Sequence, residues 1–176
     1  MQCARHFLKH TKTALLTTQQ STKYALIFDL NGVIFSTYLE TTRNCAEQSI
    51  CLRPTNNAQA LRLLYDCKKA GHTVLAVSNL SREQLEFMAM DPINARILNM
   101  FEDIILPDES GYKKHLPAMF LFTLEKHDLD PQQCIFIDDQ WLNIKAAQCM
   151  GITKNILCNA GNLQEVRMQL EHFKAL

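Results

Sequence analysis

Asp29 follows the apolar run Tyr24-Ala25-Leu26-Ile27-Phe28 and precedes Leu30-Asn31-Gly32-Val33, so one carboxylate is delivered into a tight loop at the end of a buried segment. Three more strand-like runs end in groups of matching chemistry. Thr73 to Val77 leads into Ser78-Asn79, Glu102 to Leu106 into a loop that reaches Lys114, and Cys134 to Ile137 into Asp138-Asp139. Two facing carboxylates can bind a hard divalent cation through oxygen, and a lysine beside a hydroxyl can hold a phosphate. The set suits phosphoryl transfer. Taken singly, each piece is ordinary: Asn31-Gly32 would be a turn, Asp138-Asp139 a helix cap, and Lys113-Lys114 surface charge. Their joint placement at four strand ends gives them weight. Asn31 departs from the pattern, being an amide where a proton-transferring acid would be most useful.

These groups converge only if the segments that carry them lie side by side. A helix is predicted from about Asn57 to Ala70, with Leu61, Leu64, Tyr65 and Lys68 spaced for one face and Gly71 as its stop. Ser81 and Gln84 form a capping-box pattern opening a helix through about Met90, which ends before Asp91-Pro92. Further helices are expected at Pro117 to about His127, Trp141 to Met150 and residues 162–173, with a fifth strand over residues 152–158. Strands alternating with helices imply a mainly parallel sheet of about five strands covered on both faces, a Rossmann-like three-layer α/β sandwich. In such sheets the ligand lies beyond the carboxyl ends of the strands.

At 176 residues, nearly half of them apolar, the chain suits a single core. Its 18 basic and 18 acidic residues cancel, so no overall field points to nucleic acid or an anionic membrane. The charge is uneven: residues 1–23 hold Arg5, Lys9, Lys12 and Lys23 and no acid. A flexible basic tail over residues 1–22 is therefore expected, with the core domain over 23–176. The tail lacks an apolar segment long enough for a signal-peptide core or a membrane span. Its composition overlaps that of a mitochondrial presequence, but arginine is scarce and the amphipathic pattern poor. Seven scattered cysteines with no C-x-x-C pair fit a reducing compartment, and a cytoplasmic location is expected. Cys134 and Cys158 fall in strand-like runs as core residues. His72, His115 and His127 gain no support as catalytic groups.

At these residues the chain resembles the haloacid dehalogenase-like (HAD) superfamily. Its first motif, hhhhDxDG[TV], is similar to Ala25 through Val33, with Asn31 at the second acidic position. The second, a strand ending in Ser or Thr, resembles Val74-Leu75-Ala76-Val77-Ser78-Asn79. The third, G-x-x-K-P-x-P-x-x-F, resembles Gly111 through Phe120, with His115 in place of the first proline. The fourth resembles Ile135-Phe136-Ile137-Asp138-Asp139 with Asn143 and Ala146-Ala147.

The resemblance implies that Asp29 attacks phosphorus to form an aspartyl-phosphate. It implies magnesium between Asp29, the backbone carbonyl of Asn31 and Asp138. Ser78, the backbone near Asn79 and Lys114 would hold the phosphoryl oxygens, and Asp139 would contact the metal's water shell or orient Lys114. At the position of Asn31 the usual phosphatase has an acid that protonates the leaving group and activates water, help worth ~10²- to 10⁴-fold. The implied function is a Mg²⁺-dependent phosphohydrolase, slow or restricted to good leaving groups, acting on a phosphorylated substrate that the sequence does not name. One alternative is an inactive binding or regulatory protein on the same scaffold; another is a dehalogenase. Only about 35–55 is left for a lid, so the chain is expected to be capless or to carry a short flap, including Arg43, Gln48 and Arg53. A large substrate, or cover from a second copy or another partner, would suit so open a site.

Overall fold

The computed structural model describes residues 22–40, 49–54, 57–159 and 161–176. Most of the expected basic tail, and Arg43 and Gln48 of the flap, lie outside the described residues.

Three apolar runs become strands because they are buried on both faces, as a covered parallel sheet requires: β1 (Ala25–Phe28), β4 (Thr73–Val77) and β6 (Cys134–Asp138). At the sheet's edge lies β7 (Lys154–Leu157), in which only Ile156 is fully covered. With the short β5 (Asp103–Ile105) these strands form one five-stranded sheet in the order β5-β4-β1-β6-β7. Every pairing in it is parallel, so the expected three-layer α/β sandwich is the fold. β2 (Phe35–Glu40) and β3 (Ser49–Pro54) form a separate antiparallel pair, with Phe35 opposite Pro54 and Glu40 opposite Ser49. The sequence reading had placed a flap there without strands.

Alternation along the strands divides the core. Leu26, Phe28, Val74, Ala76, Ile135 and Ile137 face a layer made by α1 (Asn57–Lys69), α2 (Arg82–Ala89), α3 (Pro92–Leu98) and α7 (Leu163–His172). Ile27, Leu75, Val77, Cys134 and Phe136 face α5 (Pro117–Lys126), which follows the single-turn α4 (Pro107–Ser110), and α6 (Trp141–Cys149), where Phe120 meets Phe136 edge-on at 4.9 Å. α1 turns a different stripe inward from the expected one: Ala60, Leu63, Leu64 and Cys67 are buried, while Tyr65 is half exposed. Cys134 and Cys158 are core residues as expected, and burial pushes their thiols up to about 12 and about 11.

His72 is structural. It is buried, its Nδ1 accepts the Tyr24 N–H at 3.1 Å, and its Nε2 lies 2.5 Å from the Ala175 carbonyl, so the ring joins the segment entering β1 to the turn after α7. His127 pairs with Asp103 at 2.9 Å, and His115 is exposed. No helix among the described residues is long and apolar enough to cross a membrane.

The chain runs from β1 outward through β4 to β5 and then returns to the other side of β1 with β6. That reversal opens a crevice at the carboxyl ends of β1 and β6, the place where sheets of this type bind ligands.

Candidate active site

Asp29 is the first residue past β1 and Asp138 the last residue of its neighbour β6. The pairing of these two strands sets their carboxylates on either side of the crevice. The backbone N–H of Asp29 donates to the Ile137 carbonyl at 2.8 Å, extending the ladder by one step and fixing the depth of the carboxylate. Beyond it the chain folds back at once. Ile34 and Phe35 both donate to the Leu30 carbonyl, and the Asn31 N–H donates to Asp29 Oδ1 at 3.2 Å.

Gly32 is required at that turn on two counts. Its φ is +98°, and a Cβ placed there would lie 2.2 Å from Asp139 Oδ2. The loop carrying Asn31 therefore closes directly over the Asp139 carboxylate.

Lys114 comes from the loop before α5, and its side chain is buried between the two acids. Nζ lies 2.5 Å from Asp29 Oδ1 and 2.9 Å from Asp138 Oδ2. The loop is anchored by Asn79, whose side-chain carbonyl accepts the Lys114 N–H at 2.9 Å. Asp138 is held from its other side, Oδ1 accepting the Gln140 N–H at 2.8 Å and Asn143 Nδ2 at 2.9 Å. Ser78 is buried at the end of β4, where its Oγ accepts the Leu80 N–H at 3.3 Å and keeps its own proton to donate.

The electrostatics are unbalanced. Asp29, Asp138 and Asp139 bring carboxylate oxygens within 4.8 Å of one another, against the single ammonium of Lys114. Burial pushes Asp29 up to about 7; Lys114 pulls it back, and the charges of Asp138 and Asp139 add to the rise. Asp139 is also raised, by its burial first and then by Asp138. Its Oδ1 is buried without a hydrogen-bond partner. A cation beside these acids would relieve both the repulsion and the orphaned oxygen.

The structure thus brings together every residue selected from the sequence: Asp29, Asn31, Ser78, Asn79 and Lys114 line one cleft of about 200 Å³, with Asp138 and Asp139 packed beside Asp29. The ion pairs of Lys114 are with Asp29 and Asp138, while Asp139 is packed against Gly32. Leu80, Gln84 and Gln140 also line the cleft and were not anticipated. The only sequence signal for Gln84 was its capping-box spacing from Ser81, which announces a helix start and says nothing of a ligand.

A parallel α/β sheet with acids, a lysine and a serine gathered at its switch point defines an enzyme-like cleft of the hydrolase type. The haloacid dehalogenase-like hydrolase family matches residues 35–151, about two thirds of the chain. The chain belongs to that family. The segment holding Asp29 and Asn31 precedes the matched residues and is placed by β1. Solved structures agree in fold. A HAD family enzyme from Bacteroides thetaiotaomicron, in complex with magnesium and inorganic phosphate, is 20% identical with a TM-score of 0.64, over 80% of this chain and 96% of that one. A HAD-like family hydrolase from Porphyromonas gingivalis is 15% identical with a TM-score of 0.67, over 85% and 98%. The core domain of a candidate phosphoglycolate phosphatase from Streptococcus pneumoniae is 17% identical with a TM-score of 0.56, over 85% and 96%.

Proposed function

We propose that this hydrolase is a magnesium-dependent phosphatase working through Asp29. The observation that carries the reading is the buried Asp29–Lys114–Asp138 chain of ion pairs at the switch point of the sheet. Magnesium fits the residues present, given three clustered carboxylates, one lysine and the unpartnered Asp139 Oδ1. Asp29, Asp138 and either Asp139 or the Asn31 carbonyl would hold it. When bound it would supply positive charge beside the phosphoryl oxygens.

In this reading an Asp29 carboxylate oxygen bonds to phosphorus as the ester P–O bond breaks, giving an aspartyl-phosphate and the departing oxygen. Lys114 and the Ser78 hydroxyl donate to the phosphoryl oxygens and offset the repulsion between Asp29 and an anionic substrate. Asn31 has no proton to give, so the departing oxygen takes one from solvent. That favours aryl or acyl phosphates, whose leaving groups need least help. Water then attacks phosphorus and the Asp29–P bond breaks. One proton stays on the phosphate and the other passes to solvent.

The test is hydrolysis of an aryl phosphate by the purified protein with magnesium, lost in Asp29→Ala. Equal rates from both proteins across a broad phosphate panel would overturn the proposal. Asn31 favours one other reading, a protein that binds phosphate or metal on this scaffold without turnover, and a full catalytic rate excludes it. The β2–β3 pair is proposed as a reduced cap over a cleft that is otherwise open to a large substrate or to cover from a partner. Shortening residues 41–48 should then alter discrimination among large esters and spare aryl phosphate turnover; unchanged discrimination counts against a cap.

A further inference from the structure

We propose that Gln84 is a specificity-determining residue, donating a hydrogen bond from its Nε2 to an uncharged hydroxyl or carbonyl oxygen of the substrate close to the phosphoryl group. The inference rests on the phosphate-site reading above and adds the class of leaving group.

The argument starts from the capping box of α2. Gln84 Oε1 accepts the Ser81 N–H at 2.8 Å, while the Gln84 N–H donates to Ser81 Oγ at 3.2 Å. Only the carbonyl end of a carboxamide can accept an N–H, so the two ends of the side chain are distinguished by their partners. Its NH₂ end is not used by the capping box, and Gln84 lines the cleft together with Asp29, Lys114 and Ser78. Asn79 repeats the arrangement, because its Oδ1 is taken by the Lys114 N–H and the residue lines the same cleft. Two amides with their acceptors engaged by backbone turn a helix cap and a loop anchor into a pair of outward donors. Asn79 directly follows Ser78, at the phosphoryl position, whereas Gln84 is the third residue of α2. With Lys114 and Ser78 available to the charged phosphoryl oxygens, an uncharged donor suits an uncharged acceptor beside them. Gln84 shares one cleft with Asp29, Ser78 and Lys114, so the recognised oxygen is near the ester.

Glutamate is the other residue that completes a capping box at this position. Gln84→Glu therefore keeps the helix start and replaces the donor with an acceptor. Binding is measured by calorimetry with magnesium in an Asp29→Asn background, where no turnover intervenes, using propyl phosphate, glycerol phosphate and inorganic phosphate. The two esters share a carbon skeleton and a charge, so any general repulsion by the new carboxylate cancels in their ratio. Glycerol phosphate is expected to bind roughly tenfold more tightly than propyl phosphate, the worth of one good hydrogen bond. Gln84→Glu should abolish that preference and leave the melting temperature unchanged. Equal affinities for the two esters, or a preference that survives the substitution, overturn the inference. If the preference is present and lost on substitution while the wild-type protein hydrolyses nothing, the phosphatase reading fails and this one stands. If inorganic phosphate binds neither this background nor the wild-type protein, both fail.

Discussion

Replacing Lys114 by methionine keeps most of the buried volume and removes the one ammonium among three carboxylates. Both of its ion pairs are buried, with Lys114 itself 2% exposed, Asp29 1% and Asp138 0%. Breaking such a pair from one side costs about 3–5 kcal/mol, because a charge is left behind without its partner. A carboxylate can escape that cost by taking up a proton. Burial already raises Asp29 from the ordinary 3.8 to about 7, so the native state binds more protons at this group than the unfolded chain does between those values. Stability contributed by this group is then fully present below about pH 4 and is lost as the pH rises toward 7, at about 1.4 kcal/mol per pH unit for one proton.

Lys114→Met removes an opposing charge, so the rise in Asp29 becomes larger and the window extends above pH 7. The deficit against the wild type should be near the full 3–5 kcal/mol at pH 8, a melting temperature lower by roughly 10 °C at about 2–4 °C per kcal/mol for a chain of this size. At pH 5 it should shrink to less than half, since a proton takes the place of the ammonium. Magnesium at millimolar concentration should recover part of the pH 8 loss by the same logic. The assay is thermal unfolding of both proteins at pH 5 and pH 8, with and without magnesium. A deficit that is the same under all four conditions would show that Lys114 acts by packing alone and would refute the electrostatic account of the site.

Two further outcomes follow from the loop after β1. Asn31→Asp supplies a group able to transfer a proton and should raise turnover of an alkyl phosphate by ~10²- to 10⁴-fold while changing an aryl phosphate much less; steady-state rates on the two ester types measure the contrast, and equal gains on both would argue against a proton-transfer role. Gly32→Ala meets both a left-handed backbone, at φ +98°, and the Asp139 carboxylate, 2.2 Å from the new Cβ. The backbone alone should cost about 1–2 kcal/mol, and displacement of Asp139 should diminish the magnesium-dependent rise in melting temperature, whereas a purely conformational effect would lower the melting temperature and leave that rise intact.

The strand ends were legible because a doubly covered parallel strand is an uninterrupted apolar run, and the first polar residue after it marks the sheet's carboxyl edge. Asp29, Ser78 and Asp138 all announce themselves in that way. α3 was hidden because Asp91-Pro92 reads equally well as the end of one helix or the start of the next. Here Asp91 Oδ1 caps Ile93 and Asn94, at 2.8 and 3.0 Å, and Pro92 takes the first helical position. The β2–β3 pair was hidden because its connection, residues 41–48, contains neither glycine nor proline and exceeds the short loops that mark hairpins. The α1 stripe was misjudged because Tyr65 and Lys68 fit the spacing as well as Leu63 and Cys67 do. Within the cleft, spacing found the charged groups but could not show that Lys114 spans two acids at once. Nor could it show that Gln84, folded back onto the Ser81 N–H, lines the same cleft.

The charge arrangement also bears on the choice between a working phosphatase and a binding protein. Buried ion clusters are poor devices for stability, since well-packed apolar residues of similar volume often do as well or better. This cluster is worse than neutral, with three acids against one base and Asp29 raised by burial well above the ordinary carboxylate range. Its members are also positioned at some expense in structure: Asn143 and the Gln140 amide fix Asp138, Asn79 fixes the Lys114 loop, and Gly32 makes room for Asp139. A scaffold relieved of all ligand binding would have no physical use for that arrangement. The cluster would acquire one if a divalent cation and a phosphoryl group entered together, the cation balancing the acids and Lys114 the phosphate. Both functional readings therefore share the same binding step, and they part only at the proton that Asn31 cannot supply. The decisive comparison is accordingly between leaving groups that need that proton and leaving groups that do not.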